Sequence, residues 1–202
     1  MRAEWLRREG APELTVVLTG WAVGAGPFRH LAGPADVLVL SDYRDLSAPD
    51  WPQGYAATDL VAWSFGVAAA CRLPALDGFR RKVAVCGSWA PCDNELGIPC
   101  ETVRATAANL SELSLRQFAR RAECPTEPGA DPAALGEELR AVMGWGGVQA
   151  PDFDRIVLGA SDRIFPLKNL IRAWQAWPVE TRVLDCGHNP FALWRDWDEV
   201  LA

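Results

Sequence analysis

Six short apolar runs, each bounded by Gly, Pro or Asp, constrain the fold of this chain more than any other feature of its sequence. They are nearly continuous in Val, Leu and Ile, which is typical of strands that are covered on both faces. Helical patterns at 66–77, 166–176 and 189–201 alternate with them. The alternation predicts an open α/β fold, a mostly parallel sheet with helices on both faces. The runs lie at 14–20, 36–42, 59–64, 82–88, 155–162 and 181–187.

The stretch from about 90 to 150 interrupts this alternation, because it contains no strand-like run. Ser111 can cap a helix that carries Leu115 on its apolar face. Asp131 followed by Pro132 is a typical start of another helix. We predict that residues 1–202 form a single domain, in which 90–150 is a helical insertion that lies over the strand ends like a lid.

Composition and charge disfavour several classes of protein. The 202 residues carry a formal net charge of -6, which argues against general nucleic-acid binding. No apolar run approaches the roughly 20 residues that cross a bilayer, and the charged N-terminal segment lacks the apolar core of a signal peptide. The six cysteines show no C-x-x-C pair and only two histidines are present, so a metal centre is disfavoured. We expect a cytoplasmic protein without a cofactor, and we also expect a monomer.

The segment DLVAWSFGVAAACR, residues 59–72, places one serine where a strand-like run passes into small helix-forming residues. This context is typical of a nucleophile elbow, a tight turn that exposes the serine hydroxyl at a helix N-terminus. The residues two before and two after the serine must be small, and here they are Ala62 and Gly66. The pattern is therefore A-x-S-x-G rather than G-x-S-x-G. On this segment alone, Ser64 is explained equally well as an ordinary helix start.

An elbow serine needs a base and an orienting acid, which follow on this fold in the order Ser, Asp or Glu, His. His188 comes directly after the last strand-like run, and Asp162 ends the run before it. The carboxyl ends of parallel strands meet at one edge of a sheet, so the three side chains should converge. Asp162 could instead cap a turn before Pro166, and His188 could cap the last helix. Their order at three strand ends favours the catalytic interpretation.

Two backbone N–H groups would have to stabilise a developing oxyanion. The residue after the serine, Phe65, supplies one, and Trp21, after Gly20 in the loop that follows the first run, is the candidate for the other. The glycines of that loop lack the spacing of phosphate or dinucleotide sites. Ser88 also ends a strand-like run, but Pro91 argues against an immediate helix. We therefore expect Ser88 to line the pocket rather than to be the nucleophile.

With these features the chain resembles a known family, the small α/β-hydrolases of the BioG type, which are pimeloyl-[acyl-carrier protein] methyl ester esterases of biotin synthesis. The resemblance spans residues 18–191 and implies hydrolysis of a methyl ester at the far end of a carrier-bound acyl chain. It also implies a triad of Ser64, Asp162 and His188 and an oxyanion hole at Trp21 and Phe65. The segments that carry it are LTGWAVGAGPF, DYRDL, VAWSFGVAAA, NELGIP, SDRIFP and GHNPF. The chain departs from the family between 45 and 59, which leaves little room for a helix.

The resemblance also implies an acyl-carrier protein as partner, and the predicted insertion carries basic residues that would suit it. Arg116 and Arg120 share a helix face, and Arg121 follows them. Acyl-carrier proteins are strongly acidic, so a local basic patch would attract one, although a solvated face explains these arginines equally well. Trp89 and Trp145, with Trp21, could wall an acyl tunnel or belong to the core.

Two alternative functions stay open on the sequence. The first is a broader serine esterase or thioesterase that acts on free acyl esters. The second is a non-catalytic α/β-hydrolase-fold binding protein, which the presence of all three triad residues disfavours.

Overall fold

The six apolar runs each form a strand, and a seventh strand precedes them in the chain. The structure is a computed structural model that describes residues 1–47, 51–73, 76–146, 148 and 153–202. In this part of the chain seven strands form one sheet in the order β1-β3-β2-β4-β5-β6-β7. The strands are β1 (Arg2–Arg7), β2 (Glu13–Leu18), β3 (Asp36–Ser41), β4 (Ala57–Trp63), β5 (Lys82–Val85), β6 (Arg155–Gly159) and β7 (Glu180–Leu184).

Strands β2 to β7 are parallel, whereas β1 runs antiparallel to β3 at the edge of the sheet. The sequence did not predict β1, because an exposed edge strand needs little apolar surface and Arg2–Arg7 reads as a charged segment. The chain passes from β2 to β3 on one side and then to β4 on the other side of β2. The topological switch point therefore lies between β2 and β4, where open α/β sheets place their ligand sites.

Two hydrophobic clusters cover the two faces of the sheet, as predicted for strands that are apolar throughout. Neighbouring residues of β2 alternate between them, because successive side chains of a strand point to opposite faces. Val16 belongs to one cluster and Val17 to the other. The mostly parallel α/β architecture is thereby confirmed.

Helices connect the strands. α1 (Phe65–Ala70) follows β4, α5 (Leu167–Trp174) follows β6, and α6 (Trp197–Leu201) ends the chain. Between β5 and β6 lie α2 (Cys100–Ala108), α3 (Glu112–Ala122) and α4 (Pro132–Met143). Ser111 and Ser114 form a capping box at the start of α3, and the Asp131 carboxylate accepts the Ala133 N–H at 3.0 Å at the start of α4. None of the helices in the described ranges is long and apolar enough to span a membrane.

Two of the predicted helices differ from the structure. The pattern at 66–77 forms a helix only as far as Ala70, and residues 74–75 of it lie outside the described residues. The pattern at 189–201 is wrong as one helix, because it divides into a 3-10 helix (Pro190–Leu193) and α6. Asp196 causes the division, since its side chain accepts the Glu199 N–H at 2.9 Å and so starts a new helix.

Two other predictions extend partly beyond the described residues. The predicted insertion at 90–150 includes 147, 149 and 150, which lie outside them, and so do residues 48–50 of the segment between 45 and 59. On either side of that second gap, residues 42–47 and 51–56 contain no helix.

Candidate active site

Ser64 lies on a sharp turn between β4 and α1. Its backbone torsions are φ 59° and ψ -123°, a conformation that L-residues rarely adopt and that is concentrated at functional sites. The turn brings α1 close to β2, because a Cβ atom on Gly66 would lie 2.1 Å from the Leu18 carbonyl oxygen. The Ser64 N–H donates to the Val85 carbonyl at 2.9 Å. Ala62 is fully buried, so its single methyl group fits where the usual motif has glycine.

His188 and Asp162 meet Ser64 in a chain of hydrogen bonds. His188 Nε2 is 3.0 Å from Ser64 Oγ, and His188 Nδ1 is 2.8 Å from Asp162 Oδ2. The histidine and aspartate side chains are 2% and 0% exposed. The arrangement can accept a proton from the serine hydroxyl at Nε2 while the carboxylate fixes the ring. The structure thus brings together the three residues that the sequence placed at three strand ends.

Neighbouring groups hold the acid and the base in place. The second carboxylate oxygen, Asp162 Oδ1, accepts the backbone N–H groups of Ile164 at 2.7 Å and Phe165 at 2.9 Å. The Phe165 ring stacks on the His188 ring at an interplanar angle of 16°. Trp63 Nε1 donates to the His188 backbone carbonyl at 2.9 Å. Asp162 therefore caps a turn, which was the alternative explanation for this residue in the sequence, and it contacts His188 as well.

The loop after β2 lies beside the serine. A Cβ atom on Gly20 would be 3.2 Å from the Ser64 Cβ, so this loop and the elbow are in close contact. Thr19 Oγ1 closes the loop by donating to the Gly24 carbonyl at 2.9 Å. Neither backbone N–H group of Trp21 and Phe65 donates to another of the described residues.

A cavity of about 60 Å³ adjoins Ser64, and helices α2, α3 and α4 all contribute to its wall. The wall is largely apolar, and the Trp21 ring packs edge-on against Phe118 with centroids 4.8 Å apart. Two arginines, Arg121 and Arg163, also border it. The lining residues are Trp21, Ser64, Phe65, Ile98, Thr102, Val103, Thr106, Phe118, Leu139 and Ile164, together with those two arginines.

Ser88 and the other candidate groups lie apart from this cavity. Ser88 is fully buried, its Oγ accepts the Ala90 N–H at 3.0 Å, and it is not among the lining residues. Burial raises the pKa of the Cys86 thiol well above its usual value, which disfavours the nucleophilic thiolate. Trp89 and Trp145 border a different pocket, so of the three tryptophans Trp21 alone lines the cavity beside Ser64 within the described ranges.

The three predicted carrier-binding arginines differ in their surroundings. Arg116 is 64% exposed and lies 3.6 Å from Glu112, while Arg120 Nε donates to the Arg116 carbonyl at 3.5 Å. Arg121 borders the cavity beside Ser64. Arg163 borders it too, although the sequence did not predict a site role for this residue. The signal for Arg163 was its position directly after Asp162.

Comparison with known proteins identifies relatives over the length of the chain. Residues 1–128 match the family described as "Pimeloyl-ACP methyl esterase BioG". A malonyl-[acyl-carrier protein] O-methyltransferase of Bacteroides fragilis (strain 638R) is 31% identical over 192 residues, which cover 87% of this chain and 39% of that protein. An uncharacterized protein of Haemophilus influenzae is 38% identical over 112 residues, 54% of this chain and 51% of that protein. The matched region thus spans only 39% and 51% of these two relatives.

Solved structures share the fold. BioG from Haemophilus influenzae superimposes with a TM-score of 0.88 at 24% identity and covers 100% of both chains. An esterase from Exiguobacterium antarcticum superimposes with a TM-score of 0.70 at 15% identity, over 98% of this chain and 90% of that one. These likenesses confirm the predicted α/β-hydrolase fold. Because the family match covers more than half of the sequence, this chain belongs to the BioG family.

Proposed function

We propose that the protein is a serine carboxylesterase in which Ser64 is the nucleophile, His188 the general base and Asp162 the orienting acid. The observation that carries the proposal is the unbroken pair of hydrogen bonds from Ser64 Oγ to His188 Nε2 and from His188 Nδ1 to Asp162. The strained elbow at Ser64 supports it further, because the strain presents the hydroxyl to the cavity.

The residues account for both halves of the reaction. Ser64 Oγ attacks the ester carbonyl while His188 Nε2 takes the hydroxyl proton, and the carbonyl electrons move to oxygen. The N–H groups of Trp21 and Phe65 stabilise that oxyanion, each donor contributing about 3–4 kcal/mol in comparable sites. The tetrahedral intermediate then collapses and expels methoxide, which takes the proton from His188 and leaves as methanol. Water, deprotonated by His188, then hydrolyses the acyl-enzyme and releases the free acid and Ser64.

The proposed substrate is the methyl ester of pimeloyl-acyl-carrier protein, in biotin synthesis. The description of the family supports this choice, and the apolar wall of the cavity suits an acyl chain. Helices α2–α4 would act as the lid, since each contributes side chains beside Ser64. Arg116, Arg120 and Arg121 on α3 would contact the acidic carrier. Ser88 receives no substrate role here, because it is buried away from that cavity.

Methanol release by the purified protein tests this proposal. Pimeloyl-acyl-carrier protein methyl ester and free pimelate methyl ester should be compared at equal concentrations, with Ser64→Ala as the matched control. We expect a much higher kcat/KM for the carrier-bound ester and no turnover by the variant. Equal efficiency on both esters would favour the broader esterase instead. Absence of Ser64-dependent turnover on any ester would leave the non-catalytic binding protein.

A further inference from the structure

Glu138 is a buried carboxyl group for which the proposed mechanism has no use. It lies on α4 with 4% of its surface exposed. The two cations that act on Glu138 electrostatically, Arg44 and Arg2, have other partners. Arg44 pairs with Asp42 at 2.7 Å and with Glu137 at 3.0 Å, and Arg2 pairs with Glu127. Within the described ranges no salt bridge reaches Glu138. A buried carboxylate without a paired cation is costly, so its contacts need an explanation.

The contacts of Glu138 lead to the loop that carries Trp21. Glu138 Oε1 accepts the Tyr43 backbone N–H at 3.0 Å. Tyr43 is itself fully buried, and its hydroxyl donates to the Thr19 carbonyl at 2.6 Å. Thr19 is the last residue before Gly20 and Trp21. The peptide group that contains the Thr19 carbonyl leads into the loop that carries Trp21. Only the two backbone torsions of Gly20 separate this peptide group from the Trp21 N–H.

Helix α4 contacts the same loop at a second point. The Leu135 carbonyl accepts the indole N–H of Trp21 at 3.1 Å. Leu135 and Glu138 are three residues apart and so lie on one face of the helix. One helix therefore fixes both the entry to the loop, through Tyr43, and the side chain of Trp21.

Packing alone does not fix the loop on this side. A cavity of about 280 Å³ borders it and is lined by Gly20, Ala22 and Gly24, and also by Glu138. The positive torsions at Ala22 (φ 67°) and Gly24 (φ 54°) show a turn with little regular structure. Because the loop borders open space there, hydrogen bonds contribute to its geometry. Those from α4 and Tyr43 act together with the bond from the Glu127 N–H to the Ala22 carbonyl at 2.8 Å and the bond from Thr19 Oγ1 to the Gly24 carbonyl.

We propose that Glu138 is a positioning residue, which acts through Tyr43 and Thr19 to direct the Trp21 N–H toward the oxyanion of the ester. The inference rests on the proposed function, since it assigns that N–H its role. The link requires an acceptor at Oε1 and not a charge. A glutamine at this position would accept the same N–H and keep the link, whereas an alanine would remove it.

The test is turnover of p-nitrophenyl acetate by Glu138→Ala, Glu138→Gln and Tyr43→Phe, with Glu137→Ala as the exposed control on the same helix. A displacement of a catalytic group by about 1 Å can cost about a hundredfold in rate. We expect Glu138→Ala to lower kcat by about tenfold to a hundredfold with KM nearly unchanged, because the Trp21 N–H bonds more strongly to the oxyanion of the transition state than to the ester carbonyl of the bound substrate. Glu138→Gln should restore kcat to within about threefold of wild type, and Tyr43→Phe should lower it.

A purely structural role for Glu138 would give a different result. Glu138→Ala would then lower the melting temperature and leave kcat at 25 °C unchanged, which would overturn the proposal. Equal loss in Glu138→Gln and Glu138→Ala would also overturn it. If Glu138→Ala does not fold, Tyr43→Phe decides, and wild-type kcat in that variant refutes the link. Turnover by Ser64→Ala at the wild-type rate would contradict the proposed function. Turnover that depends on Ser64 but is unaffected by the substitutions at Glu138 and Tyr43 would contradict the positioning role alone.

Discussion

Replacement of Glu138 by Gln should stabilise the protein at alkaline pH. Burial raises the pKa of this carboxyl from its ordinary value of 4.5 to about 7; the neighbouring Asp42 also raises it, while the Tyr43 N–H, Arg44 and Arg2 oppose the shift. Between these two pH values the folded state binds more protons than the unfolded state. The free energy of unfolding therefore decreases as the pH rises from 4.5 to 7 and is constant with respect to this group above 7.

The size of the effect follows from the same shift. One pKa unit corresponds to about 1.4 kcal/mol, so the raised pKa of Glu138 costs the wild type about 3 kcal/mol at pH 8 relative to pH 4.5. Glutamine accepts the Tyr43 N–H without a titrating group. Glu138→Gln should thus be about 2–3 kcal/mol more stable than wild type at pH 8, and the difference should fall to about 1 kcal/mol or less at pH 5.

Urea denaturation at pH 5, 6, 7 and 8 measures this difference directly. Glu137→Gln is the matched control, because that side chain is 61% exposed and its pair with Arg44 is a surface ion pair. We expect the control to change stability by less than about 1 kcal/mol at every pH. A difference between Glu138→Gln and wild type that is zero at pH 8, or constant from pH 5 to 8, would refute the reasoning.

Other parts of the site give independent predictions. Asp162→Asn should lower ester turnover by about 10⁴, because the histidine would adopt the wrong tautomer; near-wild-type turnover by the folded variant would show that another group is the acid. The double substitution Arg116→Glu with Arg120→Glu should raise KM for the carrier-bound ester several-fold more than KM for a free ester. It should also reduce the salt dependence of KM for the carrier-bound ester, since exposed charges are screened over about 8 Å. Equal changes in KM for the two esters would show that these arginines form only a solvated face. Gly66→Ala should destabilise the fold by about 3 kcal/mol or more, because its Cβ would meet the Leu18 carbonyl oxygen. The control Gly26→Ala, with open space around the new Cβ, should change stability by less than about 0.5 kcal/mol. Similar losses of stability in the two variants would contradict the close packing of the elbow.

The sequence predicted the parallel strands and the elbow, because both depend on local patterns. Continuous apolar runs identified six strands, and the strand–serine–helix order identified the turn at Ser64. The edge strand Arg2–Arg7 was not predicted, since charged residues interrupt its apolar ones and its partner β3 lies far away in the sequence.

Contacts between distant parts of the chain could not be predicted in the same way. The bond between Glu138 and Tyr43 joins residues 95 apart in sequence, and the bond between Leu135 and Trp21 joins residues 114 apart. Neither has a local pattern, because in the sequence Glu138 looks like one more charged residue of an amphipathic helix. For Arg163 the sequence offers only its position directly after Asp162, and the fold then places it at the cavity that α2, α3 and α4 line.

Covalent labelling tests the central claim, that Ser64 is an activated nucleophile, most directly. The wild-type protein should be treated with a fluorophosphonate, and the adduct located by mass spectrometry of its peptides, with Ser64→Ala and His188→Ala in parallel. We predict a single adduct on Ser64, none on Ser64→Ala, and much slower labelling of His188→Ala, since the hydroxyl then lacks its base. An adduct on Ser88, or equal labelling of wild type and His188→Ala, would contradict the account.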